Sequence, residues 1–184
     1  KFEGYTNEEA TNKKILKDVF EKGDRWFTSG DLLKKDKEGY IYFVDRIGDT
    51  FRWKSENVAT SEVSEAISAY QGIKEANVYG VLVPKQDGRA GMASIVTGDD
   101  FNIDGFYEYL NEQLPKYSIP VFIRISPEIE KTGTFKYKKT DLAKEGFDPQ
   151  VVNEPLYFAS GDENKYINLD TDLFTKINNQ EVRI

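Results

Sequence analysis

Histidine and cysteine are both absent from the 184 residues, and the two absences remove whole chemistries. There can be no Ser/His/Asp triad, no cysteine nucleophile, no thiolate or imidazole zinc site and no disulfide framework. Any catalysis has to run on Lys, Arg, Asp, Glu, Tyr or the backbone. Long apolar runs are missing too. Stretches such as Val78 to Pro84 fall far short of the roughly 20 residues that cross a bilayer, and Lys1 opens no signal-peptide pattern, so the chain is expected to be a soluble fragment. Net positive charge is also lacking: 25 Lys and Arg face 32 Asp and Glu, a formal charge of −7. That balance argues against nucleic acid as a partner, because neutralising phosphates needs clustered positive charge.

What is present is an ordinary globular composition, 39% hydrophobic and 31% charged, long enough for one core or one domain with an appendage. The charge is unevenly placed. Residues 116–144 carry seven Lys or Arg against three acids, whereas residues 145–184 carry eight acids against three basic residues. A basic patch inside an acidic chain suits a compact anion such as a nucleotide.

Periodicity predicts an amphipathic helix over Glu8 to Lys22, with Ile15, Leu16, Val19 and Phe20 on one face and Gly23 as its cap. Trp26 to Thr28 and Tyr40 to Val44 read as the two strands of a hairpin turning through Asp36 to Gly39. A boundary is expected at Asp45 to Asp49. Beyond it, a helix should begin near Thr60 or Ser61 with Val63, Ile67 and Tyr70 on its buried stripe. Strands at Glu75 to Val83, Gly91 to Thr97 and Val121 to Ile125 follow, with a helix from Ile103 to Leu114 stopped by Pro115. Strands and helices alternating in so short a span indicate a compact α+β unit with a small mixed sheet and flanking helices. Leu156 to Phe158 and Tyr166 to Leu169 predict a second hairpin, with a short helix from about Asp172, in an acidic tail expected to pack as an appendage.

Four stretches could carry chemistry. In Thr28-Ser29-Gly30-Asp31 an acid follows a strand and a glycine turn, where a carboxylate can accept hydrogen bonds from vicinal ribose hydroxyls, although Ser-Gly-Asp is also a common loop. Residues 45–63, DRIGDTFRWKSENVATSEV, gather Asp45, Arg46, Asp49, Arg52, Lys54 and Glu56 around Gly48, which suits either a hinge or a solvated loop of surface ion pairs. Lys131-Thr132-Gly133-Thr134-Phe135-Lys136 presents a lysine on an adaptable loop, able to stabilise charge on a carboxylate or phosphoryl group, or simply exposed as a basic turn. The GxxxxGK[ST] spacing of a P-loop is absent. Gly88 to Ala93, GRAGMA, lacks the dinucleotide fingerprint and reads as a glycine-rich turn.

In their order, the phrases FTSGDL, YFVDRIGDTFRWKSENVATSEV, GRAGMA, LPKYSIPVFIR, TGTFK and KEGFDP resemble the carboxy-terminal part of adenylate-forming enzymes. Within that superfamily of acyl-CoA synthetases and luciferases, they are most similar to the very-long-chain acyl-CoA synthetase and fatty acid transport protein branch, and to its fungal members. The resemblance covers Trp26 to Pro149. It implies the mobile carboxy-terminal domain over residues 46–150, preceded by the end of the ATP- and acyl-binding domain over 1–45 and followed by an appendage over 151–184.

It also implies roles. Asp31 corresponds to the acid that binds the ATP ribose, Arg46 to the arginine reaching ribose and phosphate, and Gly48 or Asp49 to the pivot. Lys136 corresponds to the lysine that bridges the fatty carboxylate and the α-phosphate, with Lys138 or Lys139 as the alternative. Phe135 stands where the family has glycine before that lysine. Ser55 replaces the glycine usual in the hinge motif, and Arg52, Lys54 and Ser55 are candidates for contacts with CoA. The implied activity is a long- or very-long-chain fatty acid–CoA ligase coupled to fatty acid uptake, using ATP, Mg²⁺ and CoA. No metal site is expected in this chain, because the phosphate loop and the Tyr-Gly-x-Thr-Glu phrase belong to the amino-terminal domain of the same protein, its expected partner. Other acyl-CoA synthetases are further partners by the same resemblance, and the whole protein is expected at the endoplasmic reticulum, lipid droplet, peroxisome or plasma membrane. The alternative is a non-catalytic interaction module or a peripheral membrane contact through exposed Phe51 and Trp53.

Overall fold

The computed structural model describes residues 6–46, 49–129 and 139–184, without the side chains of residues 10 and 44–46. The chain divides into two units, Lys1–Gly48 and Asp49–Ile184.

In the first unit helix α1 (Glu8–Lys14) is followed by strand β1 (Ile15–Lys17), which pairs antiparallel with β2 (Arg25–Phe27), Leu16 opposite Trp26. The helix expected to run to Lys22 therefore ends at Lys14. The cause lies in two side chains. Asp18 accepts the Gly23 N–H, and Asp24 accepts the N–H groups of Val19, Phe20 and Glu21 and the indole N–H of Trp26. Short acidic side chains that take backbone donors this way organise a turn in place of a helix. Loss of hydration would raise the Asp24 carboxyl, but the Trp26 and backbone hydrogen bonds outweigh it and bring it down to about 2. Gly23 is then a turn residue with φ +94°, not a helix cap.

The second ribbon joins β3 (Asp31–Lys35) to β4 (Ile41–Arg46). Its turn is the expected Asp36 to Gly39, with Gly39 at φ +96° and Asp36 accepting the Tyr40 N–H and the Tyr42 hydroxyl. The partner strand is different: Asp31–Lys35, not Trp26 to Thr28, completes the hairpin, because Trp26-Phe27 is taken by β1.

The second unit is built on a five-stranded sheet in the order β11-β10-β9-β8-β7. Here β7 is Ile73–Val81, β8 Ala90–Thr97, β9 Phe122–Ile125, β10 Leu156–Ser160 and β11 Lys165–Asn168. Only β8 and β9 run parallel, and the connection between them contains α3 (Phe106–Gln113). Strand alternation sorts the side chains onto two faces. Ala76, Val78, Ala93, Ile95 and Ile123 lie under α2 (Thr60–Ser68) and α3, where Val63, Ile67, Phe106 and Leu110 are buried. On the other face Phe122 stacks on Phe147, whose ring meets Phe174 of α5 (Thr171–Asn179).

Residues 151–184, read from sequence as a packed appendage, supply two strands and a helix to this same sheet. Val152, Leu156, Phe158, Tyr166, Leu169 and Ile177 are all in its core. Asp170 caps α5 by accepting the Leu173 N–H, a bond worth about 1 kcal/mol. Helix α4 (Lys139–Glu145) has no buried side chain.

Candidate functional site

In the first unit, Asp31 and Arg46 are register partners at the open end of the β3–β4 ribbon. Gly30 at φ +85° turns the chain into β3, and the Asp31 N–H donates to Ser29 Oγ at 3.2 Å. The two residues assigned to the nucleotide from sequence thus sit opposite each other although 15 positions separate them. Of the pivot candidates, Gly48 lies outside the described residues, and Asp49 starts the second unit at a half-buried turn position.

The stretch read from sequence as the hinge motif forms a small hairpin, β5 (Phe51–Trp53) with β6 (Glu56–Val58). Its two central residues, Lys54 and Ser55, have φ +48° and +68°. Both left-handed positions are those of a type I′ turn, in which glycine is unstrained at the second site. Ser55 therefore holds a backbone conformation that glycine would adopt without strain. Arg52 is exposed on the outer face and donates Nη2 to the Ser55 carbonyl at 3.2 Å.

Phe51 and Trp53 are 7% and 3% exposed, so they cannot serve as the membrane-facing aromatics proposed from sequence. Their alternation with exposed Arg52 turns both rings inward. Beneath Phe51 lie Gly80 and Gly91, register partners in β7 and β8. A Cβ on Gly80 would come 2.8 Å from Phe51 Cβ, and one on Gly91 3.3 Å from its Cζ. Gly88, at φ +84°, bridges Trp53, and a Cβ there would stand 2.3 Å from the Arg52 carbonyl oxygen. The GRAGMA stretch is therefore a close-contact seat for the β5–β6 hairpin, a role that needs partners 35 to 40 residues away and has no local signature.

Lys54 lies over the Trp53 ring, 5.7 Å from its centroid, and donates to the Ile184 backbone oxygen at 2.9 Å. Desolvation, then the nearby Arg183 charge, push its ammonium below the ordinary lysine value. It borders a cleft of about 440 Å³ that also holds Asn111, Lys116, Asp162 and Arg183.

Lys136 and Lys138 lie outside the described residues. Lys139, the remaining lysine candidate, opens α4 and donates Nζ to the buried Thr60 Oγ1 at 2.8 Å. A second polar group lies on the other face of the sheet from α2, the face that carries Phe122. Buried Arg124 of β9 reaches Glu145 at the end of α4 through Nη1 and Glu154 ahead of β10 through Nη2, at 2.5 and 2.7 Å. Ser94 and Ser126 share a buried hydroxyl bond of 2.8 Å beside it, at the edge of a cavity of about 410 Å³. An arginine inside the apolar run Phe122-Ile123-Arg124-Ile125 is the sequence signal that could have marked it. Burial would raise the Glu154 carboxyl, but Arg124 outweighs that and holds it below the ordinary glutamate value.

Residues 62–136 match the family described as AMP-binding enzyme C-terminal domain. Over 186 aligned residues the chain is 46% identical to long-chain fatty acid transport protein 2 of Rattus norvegicus, covering all of this chain and 30% of that protein. Among solved structures it is similar to o-succinylbenzoate CoA synthetase from Bacillus subtilis in complex with its acyl-adenylate intermediate. That match has a TM-score of 0.66 and 26% identity, over 76% of this chain and 28% of the other. It is also similar to a Mycobacterium tuberculosis fatty acyl CoA synthetase, with a TM-score of 0.55 and 30% identity over 78% of this chain and 27% of that one. The chain thus spans less than a third of the length of each of these proteins.

Proposed function

Since the chain carries the carboxy-terminal domain of the AMP-binding acyl-CoA synthetase and fatty acid transport protein family, we propose that it is the lid-bearing part of an AMP-forming long- or very-long-chain fatty acid–CoA ligase. The observation that carries the reading is the 46% identity to a long-chain fatty acid transport protein along the entire chain. The relative is a rat protein and lends the fungal affiliation no support.

In the reaction a fatty carboxylate oxygen attacks the α-phosphorus of ATP, the bond to the β-phosphate oxygen breaks, and pyrophosphate leaves. The thiol of CoA then attacks the acyl carbon, the bond to AMP breaks, and the thiol proton passes to solvent. Neither step needs a histidine base; positioning and positive charge suffice. Asp31 accepts hydrogen bonds from the ribose hydroxyls and Arg46, its register partner, supplies charge at the same end of the ribbon. Lys136 bridges carboxylate and α-phosphate. Among the described residues no group of three or more acidic side chains could hold a metal, and the Mg²⁺ that ATP brings is assigned to the amino-terminal domain.

The thiol half-reaction belongs to the hinge hairpin. Arg52 flanks the Lys54-Ser55 turn, and Lys54 lines a cleft with two further cations, Lys116 and Arg183, which suits the phosphates of CoA. The first unit exposes Trp26, Phe27, Leu32, Leu33, Ile41, Tyr42 and Phe43 on both sides of its ribbons. Apolar surface of that extent calls for cover, which the amino-terminal domain of the same protein supplies. No described helix is long and apolar enough to cross a membrane, so a membrane anchor of the whole protein is assigned to sequence outside this chain.

The test uses the full-length protein with ATP, CoA and a radiolabelled fatty acid. Acyl-CoA should form with the native sequence and not with Lys136→Ala, while this 184-residue chain by itself should fold and form none. Synthesis by the isolated chain, or unchanged synthesis by Lys136→Ala, overturns the assignment.

A further inference from the structure

Helix α4 buries none of its seven side chains, and a groove opens between it and α5. Helical spacing puts Thr140, Ala143 and Lys144 on one side of α4 and Phe174 and Asn178 on one side of α5, and these residues line a cavity of about 560 Å³. The Phe147 ring lines it from below, stacked on Phe122 and met edge-on by Phe174 with centroids 5.4 Å apart. Leu82, which follows β7 and is 65% exposed, and Pro84 extend the apolar lining. All of these residues belong to the second unit.

The charges around the groove are not balanced against one another. Of its two acids, Glu145 is engaged by Arg124 and Asp148 accepts the Gln150 N–H at 2.8 Å. Its two cations, Arg89 and Lys144, form no ion pair with a carboxylate among the described residues, and Arg89 donates to the Gly80 carbonyl at 3.4 Å. An apolar trough bordered by such cations is complementary to an amphiphile with an anionic head. Its volume falls in the range of roughly 300–1,000 Å³ in which pockets bury most of a small ligand and a few polar groups fix its orientation. Because the apolar surface is recessed between two helices, it suits a single acyl chain better than the plane of a bilayer.

We propose that the groove between α4 and α5 binds a long-chain fatty acid, its chain on Leu82, Phe147 and Phe174 and its carboxylate beside Lys144 and Arg89. The choice of a fatty acid among anionic amphiphiles rests on the ligase reading above. Each methylene laid against the apolar lining should strengthen binding by up to about fourfold, so hexadecanoate should bind far more tightly than octanoate. A basic patch without the apolar lining would show no such dependence on chain length.

The test uses the full-length protein and hexadecanoic acid carrying a photoreactive diazirine at its methyl end, kept below its critical micelle concentration. After irradiation and digestion, label is expected on residues 139–148 and 171–180. Excess hexadecanoate should displace it, and octanoate or hexadecanol should do so much less well. Leu82→Asp places a charge in the apolar lining at an exposed position and should cut this label about tenfold. Lys144→Gln should weaken it about two- to fivefold, the scale of an exposed ion pair, and decides alone if Leu82→Asp does not fold. Absence of label from both segments, label that neither variant changes, or equal displacement by hexadecanol overturns the site. So does loss of co-sedimentation with phosphatidylserine vesicles in Leu82→Asp while the label persists, which would mark a membrane-facing surface instead. Acyl-CoA synthesis by the same preparation separates the two ideas: synthesis without label on these segments fails the groove alone, and label without synthesis fails the ligase reading and leaves the groove standing.

Discussion

Lys139 places its ammonium 2.8 Å from the hydroxyl of Thr60, a residue 2% exposed at the start of α2. Of the lysines considered for the carboxylate-bridging role, this one is engaged in holding two helices together. Lys139→Ala should therefore lower stability by about 1 kcal/mol, the usual worth of such a bond, and leave adenylation in the full-length enzyme near native. Lys136→Ala should do the reverse, lowering adenylation by about 10²- to 10³-fold, as for other single groups that stabilise developing charge. Paired denaturation curves and initial rates on the two variants check this.

Asp31 should matter for nucleotide affinity. Replacing it with Ala in the full-length enzyme removes charge-assisted acceptors worth about 1.5–3 kcal/mol, so ATP should bind roughly 10- to 100-fold more weakly. The affinity for fatty acid, measured by equilibrium binding without nucleotide, should be unchanged.

The turn at residues 54–55 supplies a test of backbone strain. Ser55 holds φ +68°, a conformation that costs a non-glycine residue on the order of 1 kcal/mol. Ser55→Gly should raise the thermal midpoint of the isolated chain by a few degrees. Gly88→Ala should lower it sharply, because its φ is positive and its Cβ would fall 2.3 Å from the Arg52 carbonyl oxygen.

Acid should weaken the second unit through Glu154. Its carboxyl is held below the ordinary glutamate value, as Arg124 outweighs the opposing effect of burial. The stability it contributes is present in full above about 4.3, the ordinary value, and is lost as pH falls from there through the lower folded value. Glu154→Gln should be less stable than the native chain at neutral pH and should lose this component of the acid slope. Urea titrations at several pH values between about 3 and 7 report both.

Much of the second unit is legible in the sequence because its signals are local. Val63 and Ile67 mark α2, Pro115 stops α3, and Gly161-Asp162 separates β10 from β11. The first unit is harder for a physical reason: Ile15, Leu16, Val19 and Phe20 have helical spacing, but the competing acceptors Asp18 and Asp24 take backbone donors three to five residues away and reward a turn. Tertiary pairing likewise decides that Tyr42 and Phe43 meet Lys34 and Leu33 in place of Trp26 and Phe27. At the site, Asp31 and Arg46 carry readable motifs, and the structure adds their shared register. The Arg124 fork depends on Glu145 and Glu154, 21 and 30 positions away, and no short pattern announces it. Phe51 and Trp53 look surface-exposed when read among Arg52, Lys54 and Glu56, yet the period-two alternation of a strand buries both.

The glycine pair beneath Phe51 has a mechanical consequence. With no side chain between the ring and the backbone of β7 and β8, the hinge hairpin has nothing to slide on, and no soft layer separates Lys54 from the sheet that carries Arg124. A side chain larger than hydrogen at residue 80 or 91 would therefore lift the Phe51 ring, and the whole hairpin with it, off the sheet.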